Sequence, residues 1–211
     1  HGVASNPPLK FAIPPMRQPH PYLLDRGLEP TTIAEFGLGF CRTGSLAGRI
    51  VIPIHNAEGQ LVAYAGRWPG DPPDGIPKYK LPKGFRKSLE LFNLDRAIAA
   101  AGDGPLVVVE GYFGCIHLWQ AGIHRVVALM GSALSQFQEA LIRRHMPVGD
   151  KILVLLDEDL SGRAGRADIV QRLGANYRVA VYQFEREGQQ PDDLSAMQLE
   201  LIRPRISVLK P

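Results

Sequence analysis

Four apolar runs in the second half of the chain constrain the fold most, because each is too continuous to be a strand with one wet face. Leu106–Val109 reads LVVV, Arg125–Met130 RVVALM, Lys151–Leu156 KILVLL and Arg178–Phe184 RVAVYQF. Segments of helical pattern lie between them, at Tyr112–Ala121, Ser135–His145 and Ala164–Leu173. Unbroken apolar strands alternating with helices need burial on both faces, which a parallel sheet covered by helices supplies. An α/β domain of that kind is therefore predicted for residues 104–211, with a boundary near the Gly- and Pro-containing stretch at 101–105.

The first half is built differently. Residues 1–21 hold six of the 18 prolines and read as an extended arm. Between Tyr22 and Phe36 the pattern gives two short helices broken around Gly27–Pro30, with Thr31 or Thr32 as cap. Arg49–Ile54 and Leu61–Ala65 are strands joined by a polar loop in which Gly59 is free to take a positive φ, the pattern of an antiparallel hairpin. A smaller α+β subdomain is thus expected over residues 22–103.

Composition sets outer limits. With 211 residues, 45% of them apolar and 21% charged, the chain is of ordinary globular make-up and long enough for a real core. It has no run of about 18 apolar residues to span a membrane and no basic-then-apolar leader. Cys41 and Cys115 are isolated, so a four-cysteine zinc site is excluded and two plain thiols in a reducing, cytoplasmic setting are expected. The first residue is His1, which leads to the expectation of a piece of a longer protein. A net charge of +3 permits a nucleic-acid partner without requiring one.

Three carboxylates fall where such a sheet places chemistry. Glu110 follows LVVV, and Asp157 and Asp159 follow KILVLL, beyond the carboxyl ends of parallel strands. Strand residues two apart point the same way, so Asp157 and Asp159 are expected to face one site while Glu158 turns aside. Gly111 and Gly162 are read as tight-turn residues. A single acid after a strand is more often a solvated turn residue or a cap, but three at linked positions favour a shared divalent cation, which relieves their mutual repulsion. Asp192 and Asp193 either extend this group or cap a helix near Ser195.

Lys78, Lys80, Lys83, Arg86 and Lys87 form a basic stretch with Tyr79 and Phe85 interleaved, a composition suited to phosphates and stacked bases; a solvated loop with buried aromatics is the plainer reading. Arg49 and Arg67 join that surface if the hairpin shares its face.

EGYFG at 110–114, LMGSAL at 129–134 and LLDEDLSGRAG at 155–165 together resemble the acidic signature of the Toprim fold. YLLDRGL at 22–28, RIVIPIHNAEGQLVAYAGR at 49–67, PKYKLPKGFRKS at 77–88 and LFNLDRA at 91–97 resemble the basic subdomain that precedes Toprim in bacterial DnaG-type primases. The resemblance spans about Tyr22 to Ser195. It implies a nucleotidyltransferase that makes RNA primers on a single-stranded DNA template from ribonucleoside triphosphates. Magnesium, or manganese in its place, would activate the attacking 3′-hydroxyl and steady the leaving pyrophosphate.

It further implies that Glu110, Asp157 and Asp159 are catalytic acids and metal ligands, with Asp192 a further ligand. Arg49, Arg67, Lys78, Tyr79, Lys83 and Lys87 would contact DNA or nucleotide. A helicase or a separate zinc-binding domain are the further partners it suggests. The chain departs from the family at Gly114 and Gln190, where an acid usually stands. Those departures suggest as an alternative a DNA-binding module of a mobile element or replication complex with weakened catalysis; a metal-dependent nuclease is a third reading. Gln190 also resembles the primase-like Toprim proteins of mobile elements.

Overall fold

The computed structural model describes residues 5–14, 18–100, 104–195 and 197–199. Parts of the expected arm (1–4 and 15–17), residues 101–103 at the expected boundary and the end of the expected second domain (200–211) lie outside the described residues. The chain divides into two compact units, His1–Arg86 and Lys87–Pro211.

The first unit opens with α1 (Pro21–Asp25) and α2 (Pro30–Glu35), each with a proline in its first turn, where the missing N–H costs nothing. Glu29 is the N-cap of α2; the expected caps Thr31 and Thr32 lie inside the helix because Pro30 already fixes its start. Strands β1 (Gly39–Cys41), β2 (Arg49–His55), β3 (Leu61–Arg67) and β4 (Tyr79–Lys80) form an antiparallel sheet in that order. Gly59 turns the β2–β3 hairpin at φ 77°, as its position suggested. Pro53, unusual in an inner strand, lies beyond the last β1 partner, Val51, so no neighbour on that side needs its missing donor. The described stretch 5–14 of the expected arm has no helix or strand and is tied down: Leu9 N donates to Leu61 O (2.7 Å) and Ile13 N to the Tyr64 hydroxyl (2.8 Å). Leu9 and Ile13 pack on a buried cluster of Leu46, Val51 and Tyr64.

The second unit is a four-stranded parallel sheet of β5 (Leu106–Val109), β6 (Val126–Ala128), β7 (Lys151–Leu155) and β8 (Arg178–Val181), in the order β6-β5-β7-β8. Helix α3 (Leu94–Ala99) precedes β5. Helices α4 (Tyr112–Gln120), α5 (Gln136–His145) and α6 (Leu160–Leu173) make the crossovers. The chain leaves β5 toward β6 but leaves β7 toward β8. Right-handed crossovers in opposite directions put α4 on one face and α5 and α6 on the other. The two connections therefore diverge at the C-terminal ends of β5 and β7, the position where open α/β sheets bind ligands.

Residues 87–100 cluster with this unit, unlike the boundary expected near 101–105. Phe92 exchanges both main-chain hydrogen bonds with Ala128 (3.0 and 3.1 Å), extending the sheet past β6. The buried amide of Asn93, held in the left-handed region at φ 68°, donates to Val126 O (2.8 Å). These contacts cover an edge of the sheet that would otherwise present unpaired groups.

Candidate metal centre and basic surface

Glu110 and Asp157 stand on neighbouring strands of the second unit, each one or two residues past its end. Both are half-buried. Burial raises the Glu110 carboxyl above its usual range, and nearby Asp159 raises it further, while Lys87 opposes the rise. Glu110 Oε2 is sealed from solvent with no hydrogen-bond partner. Asp157 is pushed up to about 7, first by burial and then by Glu110, Asp192, Asp159 and Asp193. The five named acids thus share one local field at the divergence of the two crossovers, and the field is short of positive charge.

Asp159 has a different local role from the one expected. It is exposed and is the N-cap of α6: its Oδ1 accepts from Gly162 N (2.7 Å) and Ser161 Oγ (2.8 Å). Those donors hold its carboxyl below the usual range. A cap at Asp159 also starts α6 at Leu160, four residues before the expected Ala164. Gly162 is accordingly helical, not a turn residue. A Cβ there would sit 2.0 Å from Asp157 O, and one at Gly165 would sit 2.1 Å from Ser132 O. The two glycines let α6 lie directly on the main chain of the loops that follow β7 and β6. Gly111 has no positive φ and open space around its Cα, so it too is not there to permit a turn.

Gln190 and Asp193 close a single 3-10 turn, Pro191–Asp193: Gln190 N donates to Asp193 Oδ2 (3.0 Å) and Asp193 N donates to the Gln190 carbonyl (3.0 Å). Asp193 is therefore a cap, though of this turn and not of a helix near Ser195. Asp192 is half-buried and adds to the field at Asp157. Gly114, where an acid was expected, packs on this turn; a Cβ at 114 would meet Pro191 Cβ at 3.1 Å.

Among the described residues no group of three or more His, Cys, Asp or Glu side chains is gathered closely enough to hold a metal ion. Asp159, engaged through Oδ1 in capping its helix, is not gathered with Glu110 and Asp157 into such a group. What remains suits a hard divalent cation, which can be held by one or two carboxylates with water and substrate phosphates completing its shell. An orphaned Glu110 oxygen beside an Asp157 that resists ionising is the donor pair such an ion would relieve. Lys87 is the one expected phosphate-binding residue of this unit. Its Nζ donates to Met130 O (2.8 Å) and its charge reaches Glu110.

The other basic residues lie in the first unit. Lys78, Lys80, Lys83 and Arg86 are exposed and Tyr79 is partly so. Arg49 and Arg67 are each only 4% exposed. Arg49 donates to Gly66 O (3.2 Å), Lys78 O (3.3 Å) and Pro77 O (2.9 Å) and lies over the Trp68 ring. Gly66 makes room for it, since a Cβ there would be 2.9 Å from Arg49 Cδ. Arg67 donates to Trp68 O and Gly70 O and lies against both Tyr22 and Tyr79, 5.4 and 5.3 Å from their ring centroids. Both arginines brace the 66–78 segment from inside. That is not the open phosphate contact expected of them.

Residues 107–195 match the family described as Toprim-like. The DNA primase of Deinococcus radiodurans is 32% identical over 75% of this chain and 34% of its own length. A crystal structure of the Aquifex aeolicus primase, comprising its zinc-binding and RNA polymerase domains, superposes with TM-score 0.76 at 27% identity, covering 89% of this chain and 55% of that one. A DnaG primase catalytic domain bound to single-stranded DNA shares the fold at TM-score 0.73 and 24% identity, covering 89% and 70%. The chain spans about a third of the length of the curated primases it matches.

Proposed function

Because the chain belongs with the bacterial DnaG-type primase cores and carries their Toprim-like domain, we propose that it makes short RNA primers on single-stranded DNA from ribonucleoside triphosphates. Glu110 and Asp157 would hold the divalent ion, magnesium or manganese, with Asp192 beside them and Asp159 able to join by releasing its cap. The single observation that carries this reading is the Asp157 carboxyl, pushed up to about 7 among Glu110, Asp192, Asp159 and Asp193. A group of acids arranged at such cost to one another is a site for a cation and the phosphates it brings.

The bound ion would supply charge neutralisation for the attacking and leaving oxygens. The chain's own groups do the rest. The Glu110 oxygen sealed from solvent presents a fixed acceptor that no protein donor competes for. Lys87, anchored through Met130 O, places a cation beside the acids where a triphosphate arrives. Lys78, Lys80 and Lys83 meet the template backbone, and Tyr79, stiffened against Arg67, offers a ring face to a base. A zinc-binding domain, as in the Aquifex primase, and a helicase are the further partners proposed.

The test is primer synthesis on single-stranded DNA with magnesium or manganese. Labelled RNA that disappears with D157N while DNA binding persists supports the reading. DNA binding without product, or DNA that is cut, overturns it.

A further inference from the structure

We propose that Glu158, turned away from the carboxylates on either side of it, is the positioning residue that holds the two acidic loops together. The inference deepens the metal-dependent reading above and rests on it. Glu158 acts through both its main chain and its side chain. Its N–H donates to Gln189 O (2.9 Å) and its carbonyl accepts from Gly188 N (2.8 Å), so the loop carrying Asp157 and Asp159 is bridged to the loop that leads into Pro191–Asp193. Its carboxylate takes a two-pronged contact from Arg166, at 2.8 and 2.9 Å, and a third from Arg163 at 3.1 Å.

Arg166 lies on α6, is 7% exposed, and also donates to Leu156 O at the end of β7 (3.3 Å). Arg163, one turn earlier, reaches Glu187 at 3.6 Å. One carboxylate thus joins α6, the end of β7 and the loop before Asp192. A planar fork on a carboxylate fixes orientation as well as distance. A buried guanidinium that loses its anion must move or draw in water. Without the Glu158 charge the two loops keep only the paired main-chain bonds, and the separation of Asp157 from Asp192 is no longer set.

Partners of this outer kind usually alter metal affinity about 10- to 100-fold. The test uses the full chain and manganese, whose free fraction is read by electron paramagnetic resonance, together with hydrogen exchange at the Glu158 and Gly188 amides. E158Q keeps the shape and removes the charge; R166K keeps the charge and removes the fork, and decides the matter if E158Q does not fold. E139Q is the control. It removes a comparable contact between α5 and α6, Glu139 to Arg172, far in sequence from the acidic loops.

We expect E158Q and R166K to weaken manganese binding about tenfold or more and to speed exchange at both amides, with E139Q doing neither. Wild-type affinity in both variants overturns the inference alone. An equal loss in E139Q overturns it too, since general loosening then accounts for the effect. Absence of manganese binding by the unaltered chain overturns the metal reading and, with it, the inference.

Discussion

Asp157 and Asp159 are two residues apart and live in opposite environments. Asp159 is stabilised as an anion by Gly162 N and Ser161, whereas Asp157 meets burial and other acids and rises from an ordinary 3.8 to about 7. A carboxyl whose folded pKa lies above its unfolded one contributes stability that is complete below about 3.8 and is lost as pH rises through about 7. D157N, which cannot ionise, should therefore be more stable than the unaltered chain at pH 8, by about 1–2 kcal/mol for a half-buried carboxyl. The two should converge at pH 4. Urea unfolding at both pH values without divalent metal checks this, and a difference independent of pH would refute it. The same proton competes with metal, so manganese affinity of the unaltered chain should rise between pH 6 and 8. Gly114 carries a second residue-scale prediction. G114D adds a carboxylate to this field and presses its Cβ on Pro191. It should lower stability without metal and regain more stability on adding magnesium than the unaltered chain does, as melting curves with and without magnesium would show.

At the scale of elements, α6 depends on how closely it approaches the sheet. The clash distances at Gly162 and Gly165 are to main-chain carbonyls, which cannot swing aside as a flexible side chain would. G165A should cost about 3 kcal/mol or more, because the helix must lift off Ser132. G111A, with nothing near its Cβ, should stay within about 0.5 kcal/mol of the unaltered chain. Equal effects of the two in urea unfolding would contradict this account. These glycines also mark what the sequence could and could not disclose. The strands and their parallel arrangement were legible because LVVV and KILVLL have no wet face, and the placing of Glu110 and Asp157 just past strand ends was legible for the same reason. The start of α6 was not, since Gly162 looks like a turn residue until the helix is seen lying on the carbonyl it clears. Nor were the roles of Arg49, Arg67 and Glu158. Burial of a charge is a property of the folded neighbourhood, and Arg166 lies eight residues from the acid it grips. The capping by Asp159 is equally local, a short acid before a helix finding the donors Gly162 N and Ser161 Oγ within reach.

Over the whole molecule, charge is divided unevenly. The first unit holds ten Lys and Arg against six Asp and Glu, and the second fourteen against fifteen. The slight net charge of +3 therefore conceals a basic unit and an acidic site on separate bodies. Within the basic unit, Arg49 and Arg67 are spent on main-chain carbonyls, which leaves the exposed Lys78, Lys80, Lys83 and Arg86 as the groups that displace counterions from a nucleic-acid backbone. Each phosphate contact on a single strand contributes about 0.7 to the slope of log affinity against log salt. Removing two such contacts with K78A and K83A together should therefore flatten that slope by about 1.4 while leaving the unfolding transition in place. R49M should do the reverse: it empties a buried niche of a charge with three carbonyl partners, so it lowers the unfolding midpoint, and its effect on the salt slope is small so long as the unit is folded. Fluorescence-anisotropy titrations of an oligodeoxythymidylate between 50 and 200 mM salt, beside urea unfolding of the same variants, separate the two classes. A salt slope that K78A and K83A leave unchanged would mean that the exposed lysines do not carry the template, and that the basic unit binds nucleic acid by stacking on Tyr79 or not at all.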